Sequence, residues 1–382
     1  MENIEVLEGQ VTMFDILEQS NKLRVLSLFS GIGAFEKALR NINLDFELVN
    51  YCEIDKFASK SYSLIHGVSE KLNLWDVTKI DPKNLKNFDL LTHGSPCQSF
   101  SAAGKQEGGD KGSGTTSSLM WETVQIIKSK KPKYVIWENV KNVLSKRHIH
   151  NFQRYIDELG GVGYSNYYKV LNSCDYGIPQ NRERIFVISI LGESNFEFPK
   201  IIKLEKTIKD ILEEDVDEKF YMNKPFELLD KNTNKSVCRQ IAKLDIKGND
   251  IIRRVYDVNY CSPTLSTCGG GHREAKILEI KPGAIRGRYF DGVVKQRLEL
   301  RKDNISNCLT TVQTDSIIQE KSEYSVRVRK LTPKEYWRLQ GFDDEDFYKC
   351  KDNGISNSQL YKQAGNSITV NVLENIFKNL FC

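Results

Sequence analysis

The sequence predicts an α/β fold: a mainly parallel sheet flanked by helices, joined to a smaller and less regular second domain. Three observations predict it. Short apolar runs alternate with segments of helical period from Arg24 to Ile190, the pattern of βαβ units. The first apolar run leads straight into Gly31-Ile32-Gly33, a turn where backbone has to approach a ligand closely. Between Leu191 and about Val328 the periodicity fades and charge rises, so a second region of different character follows.

Taken in order, the expected strands are Arg24–Phe29, Glu47–Glu53, Phe88–His93, Tyr134–Glu138, Tyr167–Leu171 and Arg184–Ile190. Ligands of such sheets collect at the carboxyl ends of the strands, so each chemically notable cluster should fall just after one. After the first comes Phe29-Ser30-Gly31-Ile32-Gly33-Ala34, then a helical stretch, Phe35–Asn41. The second ends in Glu53-Ile54-Asp55, about 20 residues on, where an acid typically accepts hydrogen bonds from ribose hydroxyls. A dinucleotide fingerprint would need a third glycine where Glu36 stands. Pyrophosphate is therefore disfavoured, and an adenosine ligand without phosphates fits better. Asp76, in Leu74-Trp75-Asp76-Val77, lies where another strand could end and could meet an adenine amino group, although a lone Asp is more often a cap or turn residue.

The third expected strand leads into Gly94-Ser95-Pro96-Cys97-Gln98-Ser99-Phe100-Ser101. Cys97 follows a proline in a polar setting where backbone N–H groups could stabilise a thiolate, whereas the other cysteines read as small buried hydrophobes. Gly104 to Ser118 is rich in Gly, Ser, Thr and charge, which predicts a mobile loop of the kind that acts as a lid. The fourth strand ends in Trp137-Glu138-Asn139-Val140, placing a carboxylate at the same sheet edge as Cys97. Partial desolvation of such a group raises its pKa and lets it donate to a ring nitrogen. Gln180-Asn181-Arg182-Glu183-Arg184 precedes the last strand, and Arg182 and Arg184 would share one side of an extended chain. Either could hold a phosphate or a base carbonyl, against the plainer alternative of a surface salt bridge.

Composition narrows the class. The 382 residues are 40% hydrophobic and 28% charged, with no apolar run near the ~18 residues of a membrane helix, which excludes an integral membrane protein of that kind. Met1 to Asn21 is acidic and polar, unlike a secretion signal, so a cytoplasmic location is expected. Nine cysteines without a Cys-x-x-Cys pair suggest neither a disulfide framework nor zinc, and no metal is expected. A net charge of +4 permits nucleic-acid binding without demanding it. His148, His150 and His272 lack metal-ligand spacing and read as surface residues.

Together these segments resemble the DNA (cytosine-5)-methyltransferases of bacterial and phage type, over Leu26 to about Ile190 and Arg329 to Val372. Phe29-x-Gly31-x-Gly33 is similar to the cofactor motif, Pro96-Cys97-Gln98 to the catalytic Pro-Cys motif, Glu138-Asn139-Val140 to the Glu-Asn-Val motif and Gln180-x-Arg182-x-Arg184 to the Gln-x-Arg-x-Arg motif. Arg329 to Glu335, with Arg338 to Phe342, resembles the block closing the recognition domain, and Gln363-Ala364-Gly365-Asn366-Ser367 the last motif. Ser95 departs from the phenylalanine or glycine of many members. Gln98-Ser99-Phe100-Ser101 favours DNA over the sister family acting on tRNA.

The resemblance implies a Rossmann-like methyltransferase domain using S-adenosyl-L-methionine, with a smaller, irregular target-recognition domain. The implied spans are 1–193 for the catalytic domain, 194–328 for recognition, and 329–382 for a segment returning to complete the former, as a helix from about Leu360. Cys97 would be the nucleophile and Glu138 the contact to cytosine N3, while Arg184 with Arg182 would position the base. Phe29 would stack on adenine, Glu53 hold the ribose and Asp76 the adenine. Ser30, Gly31, Ile32, Gly33, Ile54, Val77, Pro96, Leu119, Asn366 and Ser367 would complete the pocket.

The chemistry agrees. Carbon 5 of cytosine is a poor nucleophile until a thiolate adds to carbon 6, with an acid at N3 stabilising the developing charge. The target lies inside duplex DNA, so the base has to be flipped out first. Candidate DNA contacts are Gln98, Ser101, Thr264, Arg273, Arg286, Arg288 and Thr310. Two stretches echo each other, Tyr256-Asp257 leading to Ser262–Thr267, and Tyr289–Asp291 leading to Cys308–Thr311, while Gly269-Gly270-Gly271-His272-Arg273 reads as a loop that could enter a groove.

Double-stranded DNA is the expected partner, a cognate restriction endonuclease a candidate one, and the chemistry requires only a monomer. An RNA cytosine-5 methyltransferase is disfavoured by the large middle segment, and an inactive binding module by the presence of Cys97 and Glu138. Amino-group methyltransferases need an Asn/Asp-Pro-Pro-aromatic motif that is absent, and a nicotinamide dehydrogenase would leave the Pro-Cys, Glu-Asn-Val and double-arginine set unexplained.

Overall fold

The computed structural model describes residues 22–100, 107–229, 237–290, 293–300 and 324–382, with residues 280–290, 293–300 and 324–325 described by their backbone. The chain divides into two compact units. The first holds the described residues up to Leu171 with Glu183–Lys200 and Val370–Cys382, and the second Asn172–Arg182 and Ile201–Thr369. Of the expected return segment, residues 370–382 thus belong to the first unit and 329–369 to the second.

The first unit is built on six strands, β1 (Leu23–Leu28), β2 (Phe46–Cys52), β3 (Leu90–His93), β4 (Tyr134–Val140), β5 (Tyr164–Asn172) and β6 (Glu183–Leu191), in the order β2-β1-β3-β4-β6-β5. β1 is parallel to β2 and β3, and β3 to β4, while β6 runs antiparallel to β4. The inner strands are buried on both faces, which accounts for their near-continuous apolar sequences. Register sets the function of this sheet. Cys52, Leu28, His93 and Trp137 are neighbours in one row. The next residue of each strand, Glu53, Phe29, Gly94 and Glu138, therefore emerges at one edge.

Helices cover the sheet: α1 (Ala34–Asn41), α2 (Lys56–His66), α3 (Met120–Lys130), α4 (Ile149–Gly160) and, after the whole second unit, α9 (Val370–Phe381). α2 begins where Asp55 accepts from the amides of Phe57 and Ala58 and ends at Gly67, whose φ of 65 closes the last turn. α9 packs on α1 through Phe377 and Phe35, with ring centroids 6.5 Å apart, and through Asn41 Nδ2 donating to Glu374 Oε1 at 2.6 Å. Phe377 is fully buried, and truncating it to alanine would cost about 3–5 kcal/mol.

The second unit carries a sheet of its own where irregular chain was expected. β7 (Phe226–Leu228), β8 (Gln240–Leu244), β9 (Arg254–Tyr256), β10 (Lys276–Phe290) and β11 (Val293–Leu300) lie in the order β11-β10-β9-β8-β7, with β12 (Tyr324–Lys330) pairing β10. Ala242, Leu244, Val255, Leu278 and Val328 form its small core. The one-turn α5 (Asp250–Arg253) leads into β9. α6 (Pro333–Arg338), α7 (Asp344–Asp352) and α8 (Asn357–Asn366) follow β12. The fully buried Arg329 guanidinium donates to both oxygens of Glu335, which also closes a capping box with Thr332 at the start of α6. No helix among the described residues is long and apolar enough to cross a membrane.

Candidate active site

The site builds outward from the row at the sheet edge. Past β1 the chain turns through Phe29, Gly31 and Gly33, all with positive φ (54, 56 and 82). Gly33 has no alternative, since a Cβ there would lie 2.0 Å from His66 Nε2. The turn is tied to β2 by Ser30 N donating to Cys52 O, and His66 Nε2 lies 3.1 Å from Ile32 O. Burial lowers the His66 pKa to about 3, so the ring is neutral and Nε2 carries the proton this bond needs. Glu36, where a third fingerprint glycine would stand, is buried beneath the turn, and burial pushes its carboxyl up against the pull of Ser27 and Tyr62.

Glu53 faces this turn. Its Oε2 accepts from Gly31 N and its Oε1 from Asp55 N, each at 2.8 Å. Asp76 heads a short 3-10 turn, accepting from Thr78 N at 3.0 Å and Thr78 Oγ1 at 2.7 Å, and these bonds hold its carboxyl below the usual range. The cap role weighed for it from sequence is thus present, and no strand ends there. Val77 is buried in the core cluster against which Phe29 and Leu119 also pack. Ile54 is exposed and Pro96 half-buried.

The Cys97 loop is pinned from β4. Ser95 Oγ accepts from Trp137 Nε1 at 2.9 Å, Ser95 O from Asn139 Nδ2 at 3.1 Å, and Phe100 O from Asn142 Nδ2 at 2.5 Å. Within it Phe100 N donates to Cys97 O at 3.0 Å. Sequence alone gave Ser95 no role beyond being a departure. Its hydroxyl meets a tryptophan N–H on the neighbouring strand, which neither phenylalanine nor glycine could do. Cys97 is half-buried. Burial pushes the thiols of Cys52 and Cys174 up to about 12 and those of Cys238 and Cys261 up to about 11, keeping all four protonated and inert. Cys382 is exposed and Cys238 and Cys268 are half-buried, so not every other cysteine is a core residue; Cys308 lies outside the described residues.

Glu138, one residue past Trp137, is buried with Arg184 Nε 3.1 Å from its Oε1. Arg182 belongs to the second unit, where Nη2 donates to Ser367 O at 2.7 Å and Gly365 O at 3.3 Å. Arg182 is buried rather than on the surface, with Nη2 on these two backbone carbonyls. Gln180 Nε2 donates to Leu339 O, and Gln340 Nε2 to Ala364 O, each at 2.7 Å. Gly365 is required here, because a Cβ would lie 2.4 Å from Ser266 O. The Gln-x-Arg, Gln-Gly-Phe and Gly-Asn-Ser segments are thereby interlocked, with Ser367 buried and Asn366 exposed.

Among the expected DNA contacts, Gln98, Thr264 and Arg273 are exposed. Arg286 and Arg288 lie on β10 opposite Arg297 and Lys295 of β11. Ser101, Thr310 and the second half of the Ser/Thr echo are outside the described residues. His148 corrects an expectation. It is buried rather than on the surface, edge-on to Phe100 at 5.3 Å and beneath Gly108, a contact between distant segments that spacing could not reveal. No group of three or more His, Cys, Asp or Glu among the described residues could hold a metal ion.

Comparison with known proteins adds three findings. A family model described as C-5 cytosine-specific DNA methylase matches residues 23–382. The chain is 39% identical to orphan methyltransferase M.SPBetaI of Bacillus phage SPbeta, covering 94% of this chain and 98% of that one, and 33% identical to type II methyltransferase M2.ScrFI of Lactococcus lactis subsp. cremoris, covering 94% and 99%. Its fold is similar to the solved methyltransferase EhMeth of Entamoeba histolytica, with a TM-score of 0.64 at 17% identity over 94% of this chain and 99% of that one.

Proposed function

Because this chain belongs to the C-5 cytosine-specific DNA methylases and is a DNA (cytosine-5)-methyltransferase, we propose that it methylates a flipped cytosine in a specific duplex sequence through a covalent Cys97 adduct, with S-adenosyl-L-methionine as donor. The observation carrying this is the row Cys52, Leu28, His93 and Trp137, which brings Glu53, the Phe29–Gly33 turn, the Cys97 loop and Glu138 out at one sheet edge.

The residues at that edge fit the donor. Glu53 offers a carboxylate to ribose hydroxyls, Phe29 an aromatic face, and Asp76 an acceptor for the adenine amino group. Buried Glu36 makes the turn a poor host for phosphates, which the donor lacks. Bound there, it would supply an electrophilic methyl group.

Cys97 Sγ adds as the thiolate to C6 of the flipped base, and the electron pair displaced to N3 takes a proton from Glu138, which enters this step as the carboxylic acid and leaves it as the carboxylate facing Arg184. Arg184 keeps Glu138 in place and can reach a base carbonyl. The adduct makes C5 nucleophilic. After methylation a water molecule takes the C5 proton, Glu138 recovers the proton from N3, the C5–C6 double bond re-forms and Cys97 departs as thiolate. The second unit would carry sequence selection, with Arg273 and the Gly269–Gly271 loop as candidate groove contacts, and a monomer suffices for every step.

Bisulfite sequencing of plasmid DNA from a methylation-free host tests this. Protection of one cytosine in a short recurrent sequence is expected, and its loss with Cys97→Ala. An unprotected plasmid, with folded protein present, would overturn the assignment and point to an RNA substrate or an inactive binding module.

A further inference from the structure

The chain has four tryptophans, of which Trp121, Trp137 and Trp337 are buried. Trp75 is 42% exposed, and its φ of 62 places it in the left-handed region, which a bulky residue seldom adopts unless its surroundings dictate it.

Those surroundings centre on Asn73, which is buried. Its Oδ1 accepts from Trp75 N at 2.8 Å and from Glu53 N at 3.0 Å, while its Nδ2 donates to Glu53 O at 2.9 Å and Ser59 Oγ at 3.0 Å. Leu74 N donates to Tyr51 O at 2.7 Å, Asn73 bridges Tyr51 in parallel, and Cys52 Sγ lies 3.3 Å from Trp75 O. The segment thus runs along the end of β2. The Trp75 amide therefore shares an acceptor with the Glu53 amide, one residue ahead of Asp76, and Ile54, which follows Glu53, is 73% exposed. One amide side chain therefore sets both the ribose acceptor and the indole. An aromatic face held this way, against its own backbone preference, suits a flat heterocycle better than water.

We propose that Trp75 forms a wall of the adenine subsite, packing its indole on the purine whose amino group Asp76 takes, with Asn73 as the positioning residue for both Trp75 and Glu53. This rests on the cofactor assignment above.

The test is titration of S-adenosylhomocysteine into the full-length wild type, Trp75→Ala, Trp75→Phe and Asn73→Ala, with iodide quenching of tryptophan emission as a second readout. Because the other tryptophans are buried, iodide reports on Trp75. Dissociation constants are expected to rise about tenfold in Trp75→Ala, the scale of a lost base–aromatic stack, and to return to within about threefold of wild type in Trp75→Phe. Asn73→Ala should weaken binding as well, and saturating ligand should shield the wild-type emission from iodide. Unchanged affinity in Trp75→Ala, or an indole still quenched in the saturated complex, overturns the proposal while leaving the cofactor assignment intact. Absence of binding by the wild type overturns both.

Discussion

Arg184 Nε lies 3.1 Å from Glu138 Oε1, with the two side chains 16% and 10% exposed. The pair bridges β4 and β6, whose antiparallel register sets Val140 opposite Arg184 and Glu138 opposite Phe186. Buried ion pairs contribute little to stability on balance, and removing one partner strands the other's charge. A pair kept at the mouth of a sheet edge is better explained by work on a ligand than by folding.

Glu138→Gln keeps the shape of the side chain but removes the acid. The expected result is a fall in turnover of about hundredfold or more, with cofactor affinity within a few-fold of wild type. Single-turnover methylation alongside calorimetry checks this; a variant with ordinary turnover would remove Glu138 from the chemistry.

Cys97→Ala should abolish methyl transfer and leave cofactor binding within a few-fold of wild type. The loop is pinned through Ser95 and Phe100, contacts that the substitution leaves in place, so the variant should fold. Joint loss of cofactor binding and activity would make Cys97 structural.

Glu53→Ala should weaken cofactor binding about ten- to hundredfold, the value of charge-assisted hydrogen bonds to a ribose, with little change in DNA affinity. Calorimetry showing wild-type cofactor affinity would sink the assignment.

The fold should be acid-sensitive through two buried histidines. Burial lowers the pKa values of His66 and His93 to about 3, below the roughly 6.5 of an unfolded chain, so the unfolded state binds more protons. Their contribution is complete above about pH 6.5 and declines as pH falls toward 3, by about 2 kcal/mol per histidine at pH 5. Thermal melts between pH 7.5 and 5 should fall accordingly, and His93→Gln should flatten the decline; an unaltered slope would count against it.

Gly33→Ala should lower the melting temperature by several degrees and weaken cofactor binding. It places a Cβ 2.0 Å from His66 Nε2 at a φ of 82, adding overpacking and backbone strain of about 1–3 kcal/mol each. Melting and binding like those of wild type would show that the turn can relax.

The first unit was legible because its signals are local. Each expected strand overlaps an observed one, with the glycine turn directly after β1, Cys97 in the loop after β3 and Glu138 near the end of β4. The largest boundary error is β5, which begins at Tyr164 rather than Tyr167, since its exposed middle, Tyr168 and Lys169, hides an outer strand. The second sheet was not legible, because strands such as Gln240–Leu244 are short and mostly half-exposed and carry little periodicity. Ser95, Asn73 and buried His148 were missed for another reason. Each acts through partners distant in the chain, and a residue type in isolation does not specify those.

The position of α9 governs when this enzyme can exist during its own synthesis. β1 to β6 have all been made by Leu191, yet the helix that buries Phe35 and binds Asn41 follows the entire second unit. Ribosomes add about 5–20 residues per second, so the half-built sheet waits on the order of ten seconds or more with one flank bare. Nascent chains stalled in that interval should display apolar surface to chaperones and carry no methylating power, which makes completion of the fold and onset of activity a single late event.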